Sequence, residues 1–425
     1  MNKYLLKDIA KIDISGVDKK IKENEINIKL CNFTDVYNNW AITKEMYNKF
    51  MIATANKNEI ERYKLKKGMI AITKDSETRE DIGMSTYIAD SFDDVILGYH
   101  TALIIPDNSR VDSKYLNAYL NSNLARKHFS NSASGSGQRY TLTIDSIGNL
   151  PLYLPSLETQ EKIGNLLSYI DRKIESNSHI NNNLEELMKT LYQRWFIEFE
   201  FPNDDGKPYK SSGRRLVYNE ELKQNIPENW IVENCFNNKL YEILKPGLEY
   251  FESKNYLATG NVNESKILDG EWVTYDKRES RANMQPVRNS IWFAKMKNSI
   301  KHLTIPDKSE WFINKYILST GFLGIKCIEN SLSYLHCFIY SDYFEKVKDM
   351  LAHGATQEAI NNEDLKAIKL IIPDNLVLKQ FEETTKAIIQ KQLDIEEENQ
   401  KLTSLKELLL PMLMNGQINV DDIEI

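Results

Sequence analysis

The sequence has 425 residues, 41% hydrophobic and 27% charged, and its 54 Lys and Arg against 61 Asp and Glu give a net charge of −7. At roughly 150 residues per domain, this length predicts about three structural units, and the apolar content excludes a disordered or collagen-like chain. No stretch approaches the ~18 apolar residues of a membrane helix, and the charged N-terminus contains no signal-peptide core. The four cysteines form no Cys-x-x-Cys pair, so we expect a cytoplasmic protein without structural zinc.

The charge is unevenly distributed along the chain. Residues 1–155 and 206–375 carry +2 and +1, whereas residues 156–205 and 376–425 carry −5 each. The negative total therefore averages two kinds of segment, and it does not exclude a nucleic-acid partner. The alternation of long neutral blocks with short acidic segments indicates an internal duplication.

The sequence of the first long block, residues 1–155, predicts strands followed by a helix. Residues 66–75 and 99–106 contain short apolar runs that are typical of buried strands, and residues 113–129 have helical spacing. A loop of small residues then leads to Gln138 and Arg139, just before the last strand-like run of the block. We therefore predict an α+β domain over this block.

A heptad pattern in the first acidic segment predicts a long helix. Every seventh residue fits the seam of a coiled coil, and apolar residues occupy three complementary positions; the series is Ile163, Ile170, Asn177, Leu184 and Leu191, with Leu166, Ile180 and Leu187. Such a seam requires a partner helix. Asn177 at a core position is expected to fix the register of that pairing.

The second block and the second acidic segment repeat this plan. Strand-like runs occur at 288–297 and 319–327, His336 and Cys337 also lie in a strand-like run, and a small-residue loop ends at Gln357. The second heptad series follows the first at an offset of 218 residues and comprises Phe381, Ile388, Ile395, Leu402 and Leu409, with Leu405. The shared phase favours pairing of the two helices with each other in one chain; the alternative is two amphipathic helices docked on separate cores.

The sequence contains no recognisable catalytic motif. It has neither a Gly-x-Gly-x-x-Gly loop nor a phosphate-binding Gly-x-x-x-x-Gly-Lys-Ser/Thr loop, and the histidines lack metal-binding spacing. Asp204 with Glu221 and Lys223 would suit a Mg²⁺-dependent nuclease, but such acidic-x-Lys patterns recur by chance in a chain this charged. We predict no catalytic residues, no metal and no cofactor.

Two basic stretches and the two small-residue loops are the candidate DNA contacts. Cations suit phosphates, whereas Arg and Gln side chains suit base edges. The alternatives are a solvated charged face for the stretches and simple turns or a protein contact for the loops. The candidates are Lys57, Arg62, Lys64, Lys66, Lys67, Gln138, Arg139, Lys277, Arg278, Arg281, Arg288, Lys295, Lys297, Lys301 and Gln357.

The connector at 195–230, together with the repeated helices, resembles the central region of Type I restriction-modification DNA specificity subunits. The resemblance implies two target-recognition domains (1–155 and, with the linker, 206–375) and two conserved helical regions (156–205 and 376–425). It also implies an α+β fold in which two α/β recognition domains are separated by an antiparallel coiled coil with an internal pseudo-two-fold repeat.

In that family the subunit is not catalytic. Each recognition domain reads one half of a bipartite target in double-stranded DNA, and the paired helices set the spacing. The resemblance further implies two modification subunits, which methylate adenine, and ATP-dependent restriction subunits as partners.

Three alternatives remain open from the sequence. The first is a DNA-recognition subunit of a methylation-only or other antiphage complex. The second is a coiled-coil adaptor that joins proteins without reading DNA, and the third is a stand-alone methyltransferase or nuclease.

Overall fold

The computed structural model describes residues 2–135, 139–268 and 270–420. The chain divides into unit 1, Met1–Glu175 with Lys401–Ile425, and unit 2, Ser176–Gln400. Both units combine sheets with helices, so the expected α+β class is confirmed. The four-segment division of the chain stays a prediction, because each unit contains part of both acidic segments.

Unit 1 consists of short strands, short helices and parts of two long helices. Its strands are β1 Asn2–Leu5, β2 Ala10–Ile14, β3 Ile26–Cys31, β4 Ala41–Ile42, β5 Met51–Ala55, β6 Ile70–Thr73, β7 Asp75–Ser76, β8 Ser85–Ile88, β9 Val95–Leu97, β10 Thr101–Pro106, β11 Ser134–Gly135, β12 Tyr140–Thr141 and β13 Pro151–Leu154. Its helices are α1 Phe33–Asn38, α2 Lys57–Tyr63, α3 Ser113–Leu120, α4 Asn123–Ser132 and α5 Ile144–Gly148, and the long helix α6 Leu157–Tyr192 begins here.

Two sheets and a terminal strand pair organise unit 1. The central sheet has the order β2-β10-β6-β8-β4, and a smaller sheet has the order β5-β3-β9. Strand β1 pairs with β13, so the start and end of the block are hydrogen-bonded to each other. The apolar side chains of β6 and β10 and of helix α3 form one core with α6 residues such as Ile163.

Unit 2 has the same kinds of element. Its strands are β14 Leu216–Asn219, β15 Gln224–Pro227, β16 Ile231–Asn234, β17 Tyr241–Ile243, β18 Lys254–Leu257, β19 Val262–Asn263, β20 Lys266–Ile267, β21 Glu271–Val273, β22 Ala282–Met284, β23 Ser290–Ala294, β24 His302–Ile305, β25 Tyr316–Ser319, β26 Phe322–Cys327 and β27 Lys369–Ile372. Its helices are α7 Glu310–Lys315, α8 Leu332–Ile339 and α9 Asp342–Leu351, and the long helix α10 Asn375–Met414 begins here.

The topology of unit 2 repeats that of unit 1. The order β17-β26-β23-β24 corresponds to β2-β10-β6-β8, and β16 pairs with β27 as β1 pairs with β13. A second sheet in each unit contains a strand with one parallel and one antiparallel neighbour, namely β3 in unit 1 and β18 in unit 2. The internal repeat expected from the sequence is therefore present in the fold.

Two local predictions were wrong. Residues 113–129 form two helices, because the chain breaks at Asn121 and Ser122 between α3 and α4. His336 and Cys337 lie in helix α8 and not in a strand. All eight residues of α8 are buried, and a short apolar run buried on every side gives no periodicity that distinguishes a helix from a strand.

The two predicted long helices are present as α6 and α10, and they pair in an antiparallel coiled coil. Within unit 2 the Asn177 amide bonds to Asn399 at 2.9 Å, and the Trp195 ring, in the π-helical turn Gln193–Ile197 that follows α6, lies 5.3 Å from the Phe381 ring. The partner number falls as the residue number rises, which defines the antiparallel direction. Within unit 1, Asp171 of α6 bonds to Lys406 of α10 at 2.7 Å.

The buried seam departs from the heptad prediction at three places, two of them equivalent. Ile163, Ile170, Asn177, Phe381, Ile395 and Leu409 are buried, and Leu184, Leu191, Ile388 and Leu402 are partly buried. Leu187 and Leu405 are instead 45% and 44% exposed, and Ile180 is 41% exposed. The next residues, Met188 and Lys406, turn inward because a helix of 3.6 residues per turn drifts against a strict seven-residue repeat.

Candidate nucleic-acid interface

Each unit has a small-residue hairpin beside the end of a central strand. In unit 1, β11 pairs with β12, which pairs with β7 just after the central strand β6. In unit 2, His353 pairs with Ala359, and Ala359 pairs with Met296 just after β23. Gly135 and Gly354 open the two hairpins with φ of +155° and +138°, and a Cβ at either glycine would lie within 2.4 Å of a carbonyl oxygen across the turn.

The hairpin and the adjoining strand end of each unit are called here its corner. The backbone hydrogen bonds of the two corners follow the same pattern, so their residues can be aligned. The amide of Lys74 donates to the carbonyl of His100 at 2.9 Å, and the amide of Lys295 donates to the carbonyl of Gly321 at 3.0 Å. The two lysine carbonyls then accept from the hairpins, from Leu142 at 2.7 Å and from Ile360 at 3.0 Å. His100 and Gly321 are therefore equivalent, and so are Arg139 and Gln357, which precede those donors by three residues.

A buried carboxylate organises the corner of unit 1. Asp75 is 7% exposed, and its Oδ2 lies 2.9 Å from Lys74 Nζ, 2.5 Å from His100 Nδ1 and 3.4 Å from Arg139 Nη2. Burial alone would raise the pKa of Asp75. Hydrogen bonds from Thr141, Lys74 and His100, with the Lys74 charge, instead lower it to about 2. The carboxylate is therefore ionised at neutral pH and holds three donors around it.

His100 adopts a backbone conformation that is unusual for a residue other than glycine. Its φ is +67°, in the left-handed region that side chains with a Cβ rarely occupy. The ring lies against the Tyr99 ring at 3.9 Å and bonds to Asp75, and these contacts hold it in place. Backbone strain of this kind persists where surrounding contacts over-determine it, often at functional sites.

Two clefts of about 490 Å³ each open beside Arg139. The first, called here the serine cleft, is lined by Ser15, Lys74, Asp75, Tyr99, His100, Ser134, Gly135, Arg139 and Thr141. The second, called here the acidic cleft, shares Asp75, His100 and Arg139 and adds Phe33, Tyr37, Ser76, Glu77, Thr78 and Asp81. The serine cleft has two cations against one carboxylate, whereas the acidic cleft has one cation against three, so phosphates favour the serine cleft.

The corner of unit 2 has different side chains on the same frame. Met296 stands where unit 1 has Asp75, so this corner has no carboxylate at that position. A guanidinium nitrogen of Arg281 lies 3.6 Å from the position that a Cβ on Gly321 would take. Burial lowers the pKa of Lys295, and the Arg281 charge lowers it further. The structure thus brings together the predicted residues Arg281 and Lys295, and the Lys301 amine bonds to Thr259 on the same side of Gly321.

The basic stretch of unit 1 is spread over helix α2 and the segment that follows it. Lys57 and Arg62 are exposed on α2, and Arg62 bonds to Asp13 of β2 at 2.5 Å. Lys66 and Lys67 are exposed, whereas Lys64 is partly buried. The ion pair with Asp13 ties Arg62 to the protein surface and reduces its freedom to meet a phosphate.

The remaining predicted cations of unit 2 are partly committed to protein contacts. Arg278 packs on the Tyr275 ring at 4.0 Å, Arg288 forms an ion pair with Glu310, and Lys297 bonds to Glu358 at 2.9 Å. Lys277 and Gln357 are exposed. Gln138 lies outside the described residues.

The sequence did not single out Lys74, Asp75 or His100 as site residues. The strand at 66–75 was recognised by its lysine-bearing end, and that lysine is Lys74. His100 follows Asp75 by 25 residues in the sequence, and only the pairing of β6 with β10 places the two side chains together. A local pattern cannot reveal such a contact, because it forms between segments that are distant in the chain.

Comparison with known proteins finds similarity to Type I specificity subunits. Residues 1–186 match the family described as Type I restriction modification DNA specificity domain. The chain is 23% identical over 98% of its length, and 99% of the relative's, to the Type I restriction enzyme HindI specificity subunit of Haemophilus influenzae. It is 27% identical over 75% of its length, and 72% of the relative's, to the MjaIX specificity subunit of Methanocaldococcus jannaschii.

One solved structure has the same fold along nearly the whole chain. It is the Type I restriction-modification S subunit from M. genitalium, with a TM-score of 0.55 and 13% identity over 97% of this chain and 95% of that one. Within the described residues, none of the helices has both the length and the apolar character needed to span a membrane.

Proposed function

We propose that this chain is the DNA specificity subunit of a Type I restriction-modification complex, because residues 1–186 match the Type I restriction modification DNA specificity domain family and the resemblance to a Type I specificity subunit covers nearly the whole chain. Unit 1 reads one half of a bipartite target in double-stranded DNA, and unit 2 reads the other half. Helices α6 and α10 set the spacing between the half-sites. The chain itself is not catalytic and directs two adenine-methylating modification subunits, together with restriction subunits, to the site.

The observation that carries this proposal is the duplicated corner with unequal side chains. Four strands of the central sheet have the same order in both units, and the backbone hydrogen bonds at the hairpin are the same. Arg139 in one corner is replaced by Gln357 in the other, and Asp75 by Met296. The same backbone structure therefore carries different side chains in the two units. Two different half-sites require such a difference, because base edges are distinguished by side-chain hydrogen bonds.

The charge of the chain fits a subunit that binds DNA within a complex. The two long blocks are only weakly basic, and the acidic segments that contain α6 and α10 repel phosphates. Much of the phosphate contact must then come from partner subunits. We therefore expect weak binding by the isolated chain and strong binding once modification subunits are added.

A selection experiment tests the proposal. The chain, reconstituted with its modification subunits, is incubated with a random duplex library at controlled salt, and bound duplexes are sequenced. We expect two short motifs at one fixed separation. A single contiguous motif, or no enrichment by the full complex, would contradict the proposal.

A second experiment tests the spacing role of the helices. Deleting one heptad from α6 and the equivalent heptad from α10 preserves the phase of the seam. The same selection should then return unchanged half-sites with a shorter gap between them. Altered half-site sequences with an unchanged gap would show that the helices do not set the spacing.

A further inference from the structure

We propose that Arg139 is the guanine-reading residue of unit 1, and that Asp75 and His100 are positioning residues that aim its guanidinium at the base edge. This inference rests on the proposed function, since it assumes that unit 1 contacts DNA. It adds to that function one residue, one base and the contacts that fix them.

Arg139 is held in place and yet accessible. Its side chain is 58% exposed, and its Nη2 lies 3.4 Å from Asp75 Oδ2 and 3.0 Å from His100 Nε2. Those contacts involve one terminal nitrogen, and a guanidinium has five N–H donors in a fixed fork. Nε and Nη1 donate to neither Asp75 nor His100, so the guanidinium keeps donors for a second, planar partner.

The local charge favours a base edge over a phosphate for this arginine. Asp75 is ionised and lies beside both Lys74 and Arg139, so it offsets much of the attraction that these cations have for phosphate. A bidentate contact to a base edge depends on a fixed side-chain direction, because both N–H groups must meet their acceptors together.

Guanine is the base that matches this donor pair. Its major-groove edge presents the O6 and N7 acceptors, and a bidentate arginine is the commonest specific contact to them. The charges of the two clefts predict where the DNA strand lies. Glu77 and Asp81 repel phosphates from the acidic cleft, so the sugar-phosphate backbone of the DNA is expected along Ser134 and Thr141 in the serine cleft.

The equivalent corner supports a role in specificity. Gln357 stands at the Arg139 position on the same backbone frame, and glutamine matches adenine N6 and N7. Unit 2 has Met296 and Gly321 in place of Asp75 and His100. The positioning pair therefore accompanies the arginine and is missing where the reading residue is glutamine.

The test uses the reconstituted complex and duplex selection with the variants R139K and R139Q. R139K keeps the charge but loses the planar fork, so the salt dependence of binding should persist while discrimination at one base pair falls roughly 5- to 150-fold. R139Q should shift the preference at that base pair from guanine towards adenine. The other half-site should not change.

The positioning residues are tested at the same base pair. D75N should reduce discrimination there, and D75E should restore part of it, whereas a purely structural defect would weaken binding to all sequences equally. The matched control is R110K, since Arg110 is an exposed arginine of unit 1 away from both clefts. It should leave both half-sites unchanged.

The outcomes separate this inference from the proposed function. If the unmodified chain selects no bipartite site, the proposed function fails. If it selects a bipartite site and R139K and R139Q both retain the original base at every position, only the assignment of Arg139 is overturned. A change in both half-sites would overturn that assignment too.

Discussion

Lys406 Nζ lies 2.7 Å from Asp171 Oδ1 inside the helix pair of unit 1, with the two side chains only 18% and 19% exposed. The amine also lies 3.6 Å from the centre of the Trp40 ring. The repeat offset of 218 residues makes Met188 equivalent to Lys406 and Ile389 equivalent to Asp171. The same position of the seam is thus an ion pair in unit 1 and an apolar pair in the core of unit 2.

This relationship predicts the effect of two substitutions. K406M leaves the Asp171 carboxylate without its partner, and we expect a loss of about 3 kcal/mol in the free energy of unfolding. The double variant D171I/K406M installs the residues of unit 2 and should recover most of that loss, because a packed apolar pair often equals a buried ion pair. Thermal unfolding of both variants measures the difference. A double variant as unstable as K406M would contradict the equivalence.

The pair also shows what the sequence could and could not predict about the helices. The heptad spacing located α6 and α10, because a long periodic signal is local and strong. It placed Leu187 and Leu405 in the seam, but those leucines are about half exposed and Met188 and Lys406 are turned inward. A lysine is not expected in an apolar seam, and only its contacts with Asp171 and Trp40 explain its burial.

The candidate site was predictable only in part for a similar reason. Both small-residue loops were found from their composition and their repeat, which are local features. Asp75 and His100 were not found, because strand pairing across the central sheet brings them together. The helical state of His336 was missed because α8 is buried on every side.

A second prediction concerns Asn177. This residue is 2% exposed, and its amide donates to Asn399 at 2.9 Å and to Glu398 at 2.8 Å. N177A removes the donor to the buried side-chain oxygen of Asn399 and should lower the free energy of unfolding by about 1–3 kcal/mol. The matched control is N183A, at an exposed asparagine of the same helix, which should change it by less than about 0.5 kcal/mol. Equal effects of the two substitutions in thermal unfolding would refute a role for the buried amide.

A third prediction concerns pH and Asp75. Its pKa in the folded protein is about 2, below the ordinary value of 3.8, so the folded state favours the ionised carboxylate. The stability that the ionised Asp75 carboxylate contributes is present above about pH 4 and is lost as the pH falls through about 2. The urea midpoint of D75N should therefore lie below that of the unmodified chain at pH 5, by an amount equivalent to roughly 2 kcal/mol. The gap should close between pH 4 and pH 2, and a gap independent of pH would rule out the ion cluster as its cause.

The last prediction concerns a buried charge network in unit 2. Lys348 is fully buried, its amine lies 2.6 Å from Glu345 Oε2 and 3.0 Å from the carbonyl of Ser299, and His302 bonds to the other Glu345 oxygen at 2.8 Å. Burial alone would raise the pKa of Glu345, but hydrogen bonds from His302 and Lys348 lower it, so the carboxylate stays charged. K348M removes the compensating cation and should lower the free energy of unfolding by about 3–5 kcal/mol.

The chain supplies a close control for this network. Lys346 lies two residues away on the same helix and is exposed. K346M is therefore the same substitution at a lysine in water, and it should change the free energy of unfolding by less than about 0.5 kcal/mol. The double variant E345Q/K348M removes both charges and should be more stable than K348M, because no carboxylate is then left buried without a cation. Thermal unfolding of the three variants at pH 7 gives the ranking. If K348M and K346M unfold at the same temperature, the buried amine contributes nothing, and helix α9 is held to the sheet by its apolar contacts alone.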